Sequence, residues 1–150
     1  MPLLAISCIY CITRERMIDM PRTYNLFISH AWQYNDDYST VVRWLSQSSL
    51  DYRNYSVPQH DPLDVRTNAG LENALTNQIR PASIVIIIAG MYDAYSKWID
   101  YEIDEANRMG KTIIGIRPWG QQRIPLKVQQ AATEMVGWNS SSLIDAIMRY

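Results

Sequence analysis

The chain has 150 residues, a formal net charge of −1 and a hydrophobic fraction of 47%, which together fit one folded domain with a sizeable core. A charged fraction of 19% is typical of globular rather than disordered proteins. The 14 lysines and arginines form no basic run, so the composition excludes the electrostatic footprint of a nucleic-acid-binding protein.

The N-terminal stretch MPLLAISCIYCITRER precedes any convincing strand. Its apolar part, Leu3 to Ile12, is too short to span a bilayer, and its charges follow the apolar run, whereas a secretory signal carries them before it. We therefore predict an extension over residues 1–20, one domain over residues 21–150, and a cytoplasmic protein without a membrane segment.

A lone C-x-x-C pair, Cys8 and Cys11, lies inside this extension. A structural zinc site needs four ligands, and the only histidines of the chain are His30 and His60. The pair neither follows a strand nor opens a helix, as a thioredoxin-like motif would. We predict two small apolar side chains that stay reduced, and no metal site.

Strand-like and helix-like patterns then alternate. In the first half of the domain, the patterns predict a strand at residues 23–29 and a helix with acidic residues in its first turn at 35–48. A second strand at 52–58 stops at Pro58, and a long polar loop follows at 59–70. A loop of this length is often functional.

The second half of the domain opens with a short helix and a continuous β-branched run, ASIVIIIAG, which is typical of a strand buried on both faces. A longer helix closed by Gly110, another buried strand, a short edge strand and a last helix follow. These elements are predicted at residues 71–79, 82–90, 96–106, 111–118, 133–138 and 139–150.

Five strands alternating with helices predict an α/β fold, a flavodoxin-like three-layer sandwich with a parallel sheet in the order 2-1-3-4-5. In such sheets the ligand crevice lies outside the carboxyl ends of the strands, where the strand order reverses. Residues 29–32 and 89–96 would then flank one crevice between the first and third strands.

The usual phosphate-binding and nucleophile motifs do not occur in the sequence. Neither G-x-G-x-x-G nor G-x-x-x-x-G-K-[ST] is found, which argues against a dehydrogenase or a nucleoside triphosphatase, and G-x-S-x-G is missing too. Ser29 and His30 are strand neighbours that point to opposite faces, so they are poorly placed to exchange a proton. His30 remains either a structural histidine or a substrate contact.

One glutamate stands out in the helix SKWIDYEIDEA. Ile99, Ile103 and Ala106 make an apolar stripe, and Glu102 lies at the margin of that stripe, one turn after Trp98. The spacing fits a partly exposed glutamate without a task as well as a carboxylate that works in the predicted crevice.

The segments YNLFISHAW, NYSVPQHDP, IVIIIAGMY, SKWIDYEIDEA, GKTIIGIRPWG and VGWNSSSLIDAI together resemble a bacterial Toll/interleukin-1 receptor (TIR) domain, in particular the TIR-like group of the Thoeris antiphage defence system. The resemblance extends over residues 23–150. It implies the TIR fold and an enzyme for which NAD is the substrate, with no further cofactor.

The resemblance also implies roles for particular residues. Glu102 of the W-x-x-x-E motif would be the catalytic carboxylate, and Trp98 would shape the substrate pocket. Phe27, Ser29 and His30 would line the same pocket. The loop 59–68 would correspond to the BB loop, which governs self-association and access to the site.

The implied product is a cyclic or conjugated ADP-ribose signal that activates a separate effector protein in antiphage defence, with a phage-derived trigger as a further expected partner. Two other functions remain open. Many TIR domains only assemble and have no catalysis, so a non-catalytic interaction module is the first alternative. A nucleoside-processing transferase of similar α/β design, which would also use a glutamate on a helix, is the second.

Overall fold

A computed structural model describes residues 21–29, 36–56, 67–120 and 123–150, apart from the side chains of residues 93–95. Within these ranges five parallel strands form one sheet with the order β2-β1-β3-β4-β5. The strands are β1 (Thr23–Ile28), β2 (Asp51–Asn54), β3 (Ile84–Ile88), β4 (Thr112–Ile116) and β5 (Glu134–Val136). The predicted fold class and strand order are confirmed, whereas the predictions for the extension 1–20 and its cysteines lie outside the described residues.

Helices alternate with these strands. They are α1 (Asp36–Ser46), α2 (Asn68–Ile79), α3 (Tyr92–Arg108), α4 (Leu126–Ala131) and α5 (Ser140–Arg149), and a short 3-10 turn, Ala89–Met91, joins β3 to α3. The sequence analysis did not predict α4, because the helix is one and a half turns long and buries only Val128, which leaves no periodic stripe to detect.

The core lies on both faces of the sheet. Every residue of β3 is buried, as the continuous β-branched run predicts for a central parallel strand. Helix α3 contacts α2 and α4, whereas α1 contacts α5, so the helices form two groups that cover the sheet. No helix among the described residues has the length and apolar character needed to cross a bilayer.

Strand β2 ends at Asn54, earlier than the predicted Pro58, because a side chain takes over its pairing with β1. The Tyr55 amide still donates to the Leu26 carbonyl oxygen at 2.8 Å, but the next amide of β1, that of Ile28, donates to Ser56 Oγ at 2.7 Å. The hydroxyl of Ser56 therefore satisfies a strand amide that a backbone carbonyl would otherwise satisfy.

Helix α2 begins earlier than predicted. Thr67 adopts an extended conformation and its side chain accepts a hydrogen bond from the Gly70 amide at 3.1 Å, which makes it the N-cap. The predicted loop 59–70 is therefore wrong at its C-terminal end, where helix α2 has already started. Residues 59–66 lie outside the described ranges.

Helix α3 is followed by a glycine in the left-handed conformation. Gly110 has a φ of +64°, its amide donates to the Asn107 carbonyl oxygen at 3.0 Å, and the Lys111 amide donates to the Ala106 carbonyl oxygen at 2.9 Å. This pair of bonds is a Schellman motif, in which a left-handed residue satisfies the last helical carbonyls.

Replacing Gly110 by alanine should destabilise the protein by about 1 kcal/mol, because a Cβ atom disfavours the left-handed conformation. A Cβ there would meet no atom within 4 Å, so the effect is conformational rather than steric. Chemical denaturation measures the loss, and Gly110→Asn should lose less because asparagine tolerates this conformation. Equal stability of the alanine variant and the wild type would contradict this account.

Candidate functional site

The carboxyl edge of the sheet brings a buried hydroxyl to the end of β1. The Ser29 amide donates to the Ile86 carbonyl oxygen at 2.8 Å, so the pairing of β1 with β3 continues one residue past Ile28. Ser29 is 1% exposed, and its side chain is fixed by this extended backbone at the predicted crevice between the first and third strands.

Helix α3 places a carboxyl group at the same crevice. Ile99, Ile103 and Ala106 are buried against the core, as the apolar stripe predicts. Glu102 is also buried, with 4% of its surface exposed, and is not the partly exposed residue that its place at the margin of the stripe allowed. Helices α2 and α4 both pack against α3.

The electrostatics of Glu102 are unusual for a glutamate. Burial raises its pKa to about 8, and the nearby hydroxyl of Ser29 opposes this rise only in part. Glu102 Oε2 and Ser29 Oγ are both buried, and neither has a hydrogen-bond partner in the described part of the chain. Two neighbouring polar atoms without partners in a protein interior mark a candidate binding site, because a ligand with hydroxyl groups would satisfy both.

Trp98 lies on α3 one turn before Glu102. Helix α3 starts at the carboxyl edge of the sheet, so Trp98 is nearer to that edge than the carboxyl group. Its indole is half-buried against the core, and Lys97 Nζ lies 4.7 Å from the ring centroid. Its role in shaping a substrate pocket stays a prediction.

The structure brings three of the five predicted site residues to one region: Ser29, Trp98 and Glu102. Phe27 is fully buried in β1 among the core residues, so its contact with a substrate stays a prediction. His30 lies outside the described residues.

Gly90 lies in the segment 89–96 that was predicted to flank the crevice, whereas Asp37 was not predicted to lie at this edge. A Cβ atom on Gly90 would lie 3.2 Å from Pro118 Cβ and 3.6 Å from Asp37 Oδ2, so the start of α1 and the turns after β3 and β4 pack around this glycine. Burial and the neighbouring Asp36 raise the pKa of Asp37. The position of Gly90 at the end of a β-branched run is the one signal that could have predicted this close approach.

The described ranges contain no group of three or more histidine, cysteine, aspartate or glutamate side chains that could hold a metal ion.

The family described as "Thoeris protein ThsB, TIR-like domain" matches residues 27–123, a range that includes Ser29, Trp98 and Glu102. Among solved structures, the CMP N-glycosidase BcmB from Clostridium botulinum is similar with a TM-score of 0.55 and 13% identity. The match covers 84% of this chain and 99% of that chain, and at this identity it shows the fold alone. No curated protein sequence matches the chain.

Replacing Glu102 by glutamine should stabilise the protein increasingly as pH rises. Between the ordinary glutamate value of 4.5 and the folded-state pKa of about 8, the folded protein keeps a proton that the unfolded chain loses. Wild-type stability therefore falls through this window, by up to about 1.4 kcal/mol per pH unit, whereas glutamine has no proton to lose.

Chemical denaturation of both proteins near pH 5 and near pH 8 measures this difference. We expect similar stability at the lower pH and a clearly more stable glutamine variant at the higher pH. A gap that is the same at both pH values would mean that Glu102 titrates normally in the folded protein.

Proposed function

This chain belongs to the TIR-like domain family of the Thoeris protein ThsB, and from that premise we propose that it is an enzyme that cleaves the bond between nicotinamide and ribose in NAD. The observation that supports this proposal most strongly is the buried carboxyl of Glu102, whose Oε2 has no hydrogen-bond partner among the described residues and which lies beside Ser29 at the crevice. Burying a carboxyl group lowers the stability of the protein, and ionisable groups buried in this way are concentrated at functional sites.

The chemistry needs one carboxylate. Cleavage of an N-glycosidic bond passes through an oxocarbenium-like state, and a negative charge close to the ribose stabilises the positive charge that develops there. Nicotinamide leaves from a pyridinium ring as a neutral molecule, so no second carboxyl group is needed to protonate it. The ribose hydroxyls would supply the hydrogen bonds that Glu102 Oε2 and Ser29 Oγ lack.

The raised pKa fits this substrate. With a pKa of about 8, Glu102 is mostly protonated at neutral pH in the empty site. The cationic nicotinamide ring favours the ionised form of a neighbouring carboxyl group, since opposite charges lower the pKa of an acid. In this proposal the substrate itself promotes the ionised state of Glu102 that its cleavage requires.

The further steps follow the family resemblance. Trp98 would keep water from the ribosyl cation, so that another nucleophile captures it and a cyclic or conjugated ADP-ribose signal forms. This product would activate a separate effector protein in antiphage defence. Self-association through the loop 59–68 and a phage-derived trigger would control the activity.

A second candidate substrate class has its own support. The similar structure is titled a CMP N-glycosidase, and a nucleotide with a neutral base presents different chemistry. Cytosine is a poor leaving group unless it receives a proton, and Glu102 with a pKa of about 8 is a suitable general acid at neutral pH. A non-catalytic assembly module, by contrast, gives no reason for burying this carboxyl group.

Purified protein incubated with NAD or with CMP, followed by mass spectrometry of the products, tests the proposal. We expect nicotinamide release from NAD, and a loss on the order of a hundredfold or more in Glu102→Gln, because that variant cannot hold the negative charge. Retention of most of the activity in Glu102→Gln would show that this residue is not catalytic. Cleavage of CMP alone would replace NAD by a nucleoside monophosphate as the substrate.

The pH dependence of kcat/KM separates the two chemistries, because it reports the ionisation of the free enzyme. With NAD, kcat/KM should rise with pH and level off above about 8, as Glu102 ionises. With CMP, where a protonated acid is needed, kcat/KM should instead fall above that value. A flat profile across this range would contradict a role for Glu102 in either reaction.

Trp98 should control which product forms more than whether NAD is cleaved. Trp98→Ala should open the pocket to water and shift the products towards linear ADP-ribose, with a smaller loss of cleavage than in Glu102→Gln. Trp98→Phe keeps a planar ring and should retain more of the cyclic or conjugated product.

Product chromatography measures this ratio, and circular dichroism checks that each variant is folded. A folded Trp98→Ala protein with an unchanged product ratio would remove Trp98 from the pocket.

A further inference from the structure

A network of side-chain hydrogen bonds joins α2 to α3 directly beside Glu102. Tyr101 and Glu105 lie one turn apart on α3, and they face Glu72 and Thr76, one turn apart on α2. The hydroxyl oxygens of Tyr101 and Thr76 are 2.7 Å apart, and Tyr101 also donates to the Glu72 carbonyl oxygen at 3.1 Å.

The directions of these hydrogen bonds follow from the charge of Glu105. Hydrogen bonds from Arg108, at 2.8 Å, hold the pKa of Glu105 below its usual range, so its carboxylate is an acceptor only. Thr76 therefore donates its one hydroxyl hydrogen to Glu105 Oε2, at 2.9 Å. The oxygen of Thr76 is then left to accept from Tyr101, whose single hydroxyl hydrogen is shared between Thr76 Oγ1 and the Glu72 carbonyl oxygen.

Helix α3 requires such an anchor because the carboxyl group of Glu102 would have a lower free energy in water than in its buried position. A carboxyl group buried without a partner gains free energy if its helix turns or slides until the group reaches water. The apolar stripe of α3 resists sliding away from the sheet, but hydrophobic contacts are not directional. Directional hydrogen bonds from the residues next to Glu102 fix the rotation of the helix.

The other flank of α3 is held more weakly. Lys127 of α4 pairs with Asp104 at 2.9 Å and with Asp100 at 3.6 Å, but the Asp104 side chain is 65% exposed. Exposed ion pairs contribute little, and water competes for them. The hydrogen bonds of Tyr101 with Thr76 and Glu72 are half-buried, so water competes less for them and each bond is stronger than the exposed ion pairs of Lys127.

We propose that Tyr101 and Thr76 are positioning residues: their hydroxyl groups anchor α3 to α2 and so hold Glu102 in the place where it acts on the substrate. This inference rests on the proposed function for its activity measurement. Tyr101 touches no part of the crevice in this account, and it acts only through the helix that it shares with Glu102.

Three substitutions and a control test the anchor with the full chain. Tyr101→Phe and Thr76→Val each remove a hydroxyl and keep the shape of the side chain, whereas Thr76→Ser keeps the hydroxyl. Lys127→Gln is the matched control, because it removes the ion pairs on the opposite flank of the same helix. Thermal unfolding confirms that each variant is folded at the assay temperature.

We expect kcat for NAD cleavage to fall roughly tenfold or more in Tyr101→Phe and Thr76→Val, with KM nearly unchanged, since a small displacement of a catalytic group is costly. The double variant should be no slower than either single variant, because both lose the same anchor. Thr76→Ser and Lys127→Gln should remain close to the wild type. Full turnover in Tyr101→Phe, or an equal loss in Lys127→Gln, would overturn the inference.

A second measurement does not depend on activity. The carboxyl carbon resonance of Glu102 can be followed by NMR against pH, and its midpoint should move from near 8 towards that of an ordinary glutamate in Tyr101→Phe but not in Lys127→Gln. An unchanged midpoint in Tyr101→Phe would overturn the inference. If the wild type fails to cleave NAD, the proposed function fails, and this titration alone then decides whether Tyr101 positions Glu102.

Discussion

A buried carboxyl oxygen without a hydrogen-bond partner lowers stability, and Oε2 of Glu102 is such an atom in the described part of the chain. Glu102 lies among isoleucines on α3, where no described side chain neutralises it. A buried group of this kind stays in place only when several independent contacts fix the element that carries it. The fully buried strand β3, the apolar stripe of α3 and the polar contacts with α2 act together in this way.

The parallel sheet explains why the site lies where it does. All five strands end at the same edge, so the residues that follow them meet there although they are far apart in sequence. Ser29 follows β1, Gly90 follows β3, and α3 starts at this edge and carries Glu102 inwards. The fold fixes only the position of this edge, and the chemistry then depends on the side chains that the edge carries.

Much of the fold could be predicted from local patterns. The β-branched run of β3 and the periodicity of α3 are signals within one segment, and the structure confirms both. The burial of Glu102 could not be predicted, because it depends on contacts between distant parts of the chain, such as the one with Ser29 at the end of β1, and not on the spacing within α3.

The hydrogen bond from the Ile28 amide to Ser56 Oγ has a consequence for how this family can vary. Since a side chain completes the pairing of β1 with β2 among the described residues, this part of the sheet depends on the residue type at position 56. A threonine at position 56 keeps an acceptor oxygen for the Ile28 amide, whereas an alanine removes it, so the strand that leads to Ser29 is held in part by one hydroxyl group.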